Sequence, residues 1–363
     1  MNQELRLNCP ANVGRGSKRW RLFATAAVML AASQLTNVAA ASPQSKPLVF
    51  ERTIKIPDVP VAPYTDYLSL DLAGGRIFAT PLAARAVAVL DLKKETVLKM
   101  LPAGSPRGTY YSPTSKRLFV ADGESGDVKV FSGEDYSLVK KIPVAVGADV
   151  MIYDKTTNLI YVNNGGDEAG MDHALVSAID VDRMEKVFDI PIATKSLEGA
   201  AIDSGKQLLY VNAEGGELAV VDLSKRQKIA TWKLPSGHRN MGLALDASHN
   251  RLYVACRDSS MYGSIIVLDA ASGRQIAILP IGGWADGIFL DQKRRRIYVS
   301  VGVGHIETYA IGDKDTYQRL PAVDTDILAK TSLYSPELDR FYVSVPHLGN
   351  FGSAAVMIYQ PKP

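Results

Sequence analysis

Three sets of residues in this 363-residue chain have the types and spacing to do chemistry. The first is Asp66, Arg107, Asp149, Glu198, Met241, Asp286 and Lys330, each eleven residues before the second residue of a recurring apolar pentad. Six of these seven are ionisable, and an unpaired buried charge is costly, so a ring of them needs water, mutual pairing, a metal or a charged ligand. Within it, Asp149, Glu198 and Asp286 are the oxygen donors suited to calcium or another divalent cation. The second set is His173, His238, His305 and His347, expected on one face, with His249 on the other. No H-x-H or H-x-x-H spacing binds them together, so they read as separate surface imidazoles. The third is the insertion Asn163–His173, whose Asp167, Glu168 and Asp172 lack the order of an EF-hand and predict a solvated, flexible loop. His238, Asn240 and Trp284 lie close to ring positions and complete the candidate ligand contacts, with Tyr64 and Tyr67 as further aromatic surfaces. No G-x-S-x-G, phosphate-cradling glycine loop or catalytic cysteine context occurs. Cys256 ends a strand and reads as an inert thiol; Lys293-Arg-Arg-Arg296 reads as a solvated turn on the opposite face.

The elements that must position these residues are repeated. The pentads are Arg76–Thr80, Arg117–Ala121, Leu159–Asn163, Leu208–Asn212, Arg251–Ala255, Arg296–Ser300 and Arg340–Ser344, spaced 41 to 49 residues apart. Their aromatic and β-branched residues, bounded by Gly, Asp and Asn, predict short strands. An inner segment precedes each, a third strand such as Leu218–Asp222 follows, and a fourth ends in Leu/Ile-Pro, six times from Leu101-Pro102 to Leu320-Pro321. Proline cannot donate to a ladder, so it suits the end of an outer strand. The seventh unit stops after its third strand, and Arg52–Pro57 supplies the missing one from the other end of the chain. The reading is all-β: a seven-bladed β-propeller with four antiparallel strands per blade, the last blade closed by the N-terminal strand.

The L-Y-V-N/A/S pentad with its following V-x-V-x-D strand resembles the YVTN-type repeat family of exported, YncE-like β-propellers, from the closing strand to the C-terminus. That resemblance implies a fold and an exported location, and no reaction. Glu198-Gly199 and Asp286-Gly287 are similar to the acid–glycine pairs of calcium-dependent gluconolactonase-type propellers, although Asn240-Met241-Gly242 is shifted by one residue from the pattern and that family has six blades.

Residues 1–41 read as a signal peptide. Lys18, Arg19 and Arg21 precede an apolar stretch, Leu22–Ala32, of about eleven residues, too short for a comfortable membrane span, and Ala39-Ala40-Ala41 fits cleavage before Ser42. Residues 42–363 form a single propeller domain. The whole chain has a net charge of +3; residues 42–363 keep 36 basic and 37 acidic residues, so nucleic acid is not an expected partner. The expectation is a periplasmic or secreted monomer that binds a small molecule, peptide or protein at its top face and channel mouth without catalysis. The alternatives are a metal-dependent lactonase or lyase, and a single-stranded nucleic-acid binder whose affinity would depend steeply on salt.

Overall fold

The computed structural model describes residues 45–235 and 239–363. The proposed signal peptide and His238 lie outside the described residues. Among the described residues the strands group into seven antiparallel sheets. The first blade is Leu68–Asp71, Arg76–Ala79, Ala86–Asp91 and Thr96–Pro102, paired in that order from the inside outward. The next five repeat this order, with inner strands Pro106–Ser112, Met151–Asp154, Leu197–Asp203, Asn240–Asp246 and Ala285–Asp291. The seventh runs Thr331–Ser335, Arg340–Val345, Ala355–Pro361 and then Leu48–Lys55. The closing register sets Leu48 against Pro361 and Lys55 against Ala355, so the two ends of the ring share one sheet.

Each blade begins with the same local device. The inner strand ends in Asp or Ser, whose side chain accepts a backbone N–H from the following turn. The bonds run from Gly74 to Asp71, Ser115 to Ser112, Thr156 to Asp154, Lys206 to Asp203, His249 to Asp246, Arg294 to Asp291 and Leu338 to Ser335. The residue just before each pentad then turns left-handed, from Gly75 at φ 61° to Asp339 at φ 51°. This sends the pentad back antiparallel, with its apolar side chains buried between blades.

The pentad's closing polar residue links neighbouring blades. Asn163 donates to the Glu198 carbonyl (2.6 Å), Asn212 to the Met241 carbonyl (2.9 Å) and Ser300 to the Lys330 carbonyl. Two expectations are corrected in detail. The outer edge of the sixth blade is split into Tyr317–Arg319 and Val323–Asp324, because Leu320-Pro321 interrupts it where proline has no N–H to give. Within the insertion, Leu159–Gly165 is one strand, and the short helical turn Gly166–Ala169 is tied by Asp167 N–H to the Lys195 carbonyl (2.9 Å). It is therefore a structured cap.

Candidate functional site at the channel mouth

The first residues of the inner strands, and in Asp66, Asp149 and Lys330 the residues just before them, bring the ionisable ring together at one end of the central channel. Two ion-pair clusters organise it. Arg107, from the second blade, reaches Asp149 at 3.5 Å and clamps Glu168 through both terminal nitrogens, at 2.9 and 2.7 Å. On the other side, Asp286 accepts from Lys330 Nζ (2.5 Å) and Thr331 Oγ1 (3.4 Å). Arg257 Nη2 lies 2.9 Å from the same Asp286 oxygen, as an ion pair without hydrogen-bond alignment. Arg257 Nε donates to the Ala285 carbonyl (2.9 Å), which fixes the guanidinium.

These links leave the other carboxylates under strain. Glu198 has no ion pair among the described residues; burial, with Asp149 and Asp286 nearby, pushes its carboxyl up to about 8. Burial and the same two carboxylates raise Asp66 well above the ordinary carboxylate range. Burial raises Asp149 to about 6 even though Arg107 opposes the rise, and its Oδ1 has no partner among the described residues. Asp286 is held below its ordinary value: burial acts against ionisation, but Lys330 and Arg257 outweigh it. The mouth thus combines fixed cations, ionised carboxylates and neutral carboxylic acids able to donate a hydrogen bond. Below it lies a cavity of about 210 Å³ lined by Tyr67, Thr109, Met151, Asp286 and Ser332 among others.

Several sequence expectations change here. Asn240 has a buried side chain committed to packing between blades, with Nδ2 donating to Asn212 Oδ1 (3.0 Å) and the Glu217 carbonyl (2.6 Å). Trp284 stands outside the channel cavity, with its ring 5.5 Å from Arg257, and lines a separate hollow of about 140 Å³ with Arg239 and Asp258. Met241, the one uncharged ring member, stays half-buried, and Tyr64 is exposed while Tyr67 lines the cavity. Described histidines have separate neighbours: Asp172 for His173, Asp324 for His305, the Val59 carbonyl for His347 and Asp246 for His249.

The acid–glycine pairs have a packing origin. A methyl group on Gly199 would overlap the Met241 carbonyl of the next blade, and one on Gly287 would overlap Ser332 Oγ. Glycine is needed there because adjacent inner strands approach closely, so the glycines have a packing reason of their own. Among the described residues, no three His, Cys, Asp or Glu side chains converge as a ready cation site.

Two site residues escaped the sequence reading. Glu168 was assigned to a solvated loop. Arg257 stands two residues beyond its pentad, where the second, third and sixth blades carry Gly123, Gly165 and Gly302. A lone arginine at a position otherwise rich in glycine was the signal available.

No protein-family model matches the chain. It is 22% identical over 198 residues to the uncharacterized protein YncE of Salmonella typhimurium, a match spanning 54% of this chain and 53% of that one. It is 28% identical over 96 residues to YncE of Salmonella typhi, covering 26% and 27% of the two chains. The matches therefore span about half, or about a quarter, of those curated relatives. Among solved structures, the RRP9 WD40 repeats superpose with a TM-score of 0.70 at 11% identity, over 88% of this chain and 100% of that one. The hydrazine synthase of Kuenenia stuttgartiensis gives 0.65 at 16% identity, over 81% and 95%. These two likenesses concern the fold alone. The chain is thus a closed seven-bladed β-propeller with weak sequence similarity to YncE proteins over part of its length.

Proposed function

We propose that this propeller is an exported, non-catalytic binding protein that holds a polar small molecule or a peptide segment at its charged channel mouth. The observation that carries the reading is the pairing pattern. Arg107 and Lys330 are held rigid by protein carboxylates, while Asp149 Oδ1 and the Glu198 carboxyl have no hydrogen-bond partner among the described residues. Preorganised donors beside unsatisfied acceptors recognise a ligand at low entropic cost. A zwitterionic or hydrogen-bonding ligand suits this mixture better than a polyanion, which would meet the carboxyl groups of Asp66, Asp149, Glu168, Glu198 and Asp286. A divalent cation would have to compete with Lys330 and Arg257 for Asp286, so bound calcium is the less favoured arrangement.

The test has two parts. Purified protein is screened against hydrolase and lyase substrates, with and without chelator, and its melting curve is followed with millimolar calcium. The reading expects no turnover and no calcium-dependent stabilisation; turnover of any class that the chelator abolishes would favour the lactonase or lyase alternative. Periplasmic fractionation with N-terminal sequencing should find the chain beginning at Ser42. An uncleaved chain in the cytoplasm would refute the export half of the proposal.

A further inference from the structure

The opposite end of the channel differs sharply from the charged mouth. It opens into a cavity of about 640 Å³ walled by inner strands of five successive blades. Its lining is mainly Ile152, Ala200, Ile202, Leu245, Ile288 and Leu290. All of these except Ile288 stay partly exposed although they point inward, which is costly apolar surface to leave in water. Volumes of about 300–1,000 Å³ with apolar walls and few polar groups are those of small-molecule sites.

The rim supplies one charge. Of the basic run read from the sequence as a solvated turn, three members are committed. Arg294 pairs with Asp291 (3.0 Å) and Asp339 (2.7 Å), Arg295 with Asp313 (3.3 Å), and Arg296 bonds to the Lys362 and Pro363 carbonyls. Lys293 makes no ion pair or hydrogen bond among the described residues, is exposed, and lines the cavity beside Gln292. Nearby Asp291 is fully buried, and its carboxylate is occupied by Arg294 and the Tyr298 hydroxyl.

We infer that this end of the channel is a binding site for an apolar carboxylate, an aliphatic or aromatic acid whose tail enters between the inner strands and whose headgroup meets Lys293. The cavity shares Ile152, Ala200, Leu243, Ile288 and Phe289 with the one below the charged mouth, but Lys293 lies at the other end of the inner strands and the inference does not rest on the reading of the mouth.

The experiment is calorimetric titration of the intact protein with decanoate, decanol and decyltrimethylammonium, each below its micelle concentration. Decanoate should bind saturably at one site, decanol at least tenfold more weakly, and the cation not measurably. Lys293→Glu, a surface change, should weaken decanoate at least tenfold without altering the melting temperature. Ala200→Leu, which fills the lumen, should weaken decanoate and decanol together. Absence of saturable binding, equal binding of all three amphiphiles, or decanoate binding indifferent to Lys293→Glu would each overturn the inference. If Ala200→Leu fails to fold, the headgroup comparison and Lys293→Glu still decide the question.

Discussion

Replacing Glu198 with Gln should stabilise the protein, and should do so only above a definite pH. In the unfolded chain the carboxyl titrates near its ordinary 4.5; in the folded ring it is pushed up to about 8 by burial and by Asp149 and Asp286. A group raised on folding contributes its full stability below the unfolded value, and loses it as pH rises through the folded value. Wild type should therefore lose stability between about pH 4.5 and pH 8 through this residue, whereas Gln, permanently neutral, should not. At about 1.4 kcal/mol per pKa unit the full effect would approach roughly 5 kcal/mol. Water in the channel mouth screens the charges, and about 2 kcal/mol is the expected gain. For a domain of this size that is a rise in Tm of about 3 °C at pH 8.5, shrinking to nothing near pH 4. The assay is calorimetry of both proteins from pH 4 to pH 9. Parallel stability curves, or a mutant less stable at pH 8.5, would show that Glu198 is ionised at no cost and that the ring is not assembled as described.

Asp286→Asn should destabilise without any ligand, by about 3 kcal/mol near neutral pH, because Lys330 and Arg257 would lose their shared carboxylate. Since Asp286 is held below its ordinary value, its contribution is present above about 3.8 and is lost as pH falls through the lowered folded value; thermal melts should show the mutant's deficit closing in acid. Deleting Leu48–Pro57 leaves Ala355–Pro361 as an unpaired edge and should abolish soluble expression; a truncated protein melting like wild type would refute the closure. Gly199→Ala should cost about 1–3 kcal/mol by denaturant titration, since the methyl group meets the backbone of the next blade; a neutral result would mean the inner strands are farther apart than described.

Nearly all the architecture was legible in the sequence, because a propeller writes its period into the chain. The pentads, the proline-ended outer strands and the N-terminal closing strand each correspond to a strand or a strand end here. Pro102 and Pro143 end their strands, Pro191 and Pro280 are followed by one and two more strand residues, Leu234-Pro235 follows its strand, and Leu320-Pro321 interrupts the split edge of the sixth blade. The ring also followed from register alone, since inner strands that begin at equivalent positions must place equivalent residues at one level. Its pairing did not. Glu168 comes from a cap in an insertion the other blades lack, and Arg257 shows in the blade alignment only as an arginine where three blades carry glycine, which does not name its partner. Conversely, Asn240 and the glycines of the acid–glycine pairs have interblade packing roles that one dimension does not reveal, because packing uses the same residue types as ligand binding.

The central claim is that the charged mouth is a ligand site whose cations are fixed in advance. Its most direct test is a crystal structure of protein purified from its native compartment. The account predicts density beyond water bonded to Asp149 Oδ1 and Glu198 within reach of Arg107 and Lys330, with the Arg107–Glu168 and Lys330–Asp286 pairs intact. Ordered water alone at that position, or a mouth whose ion pairs have exchanged partners, would contradict it.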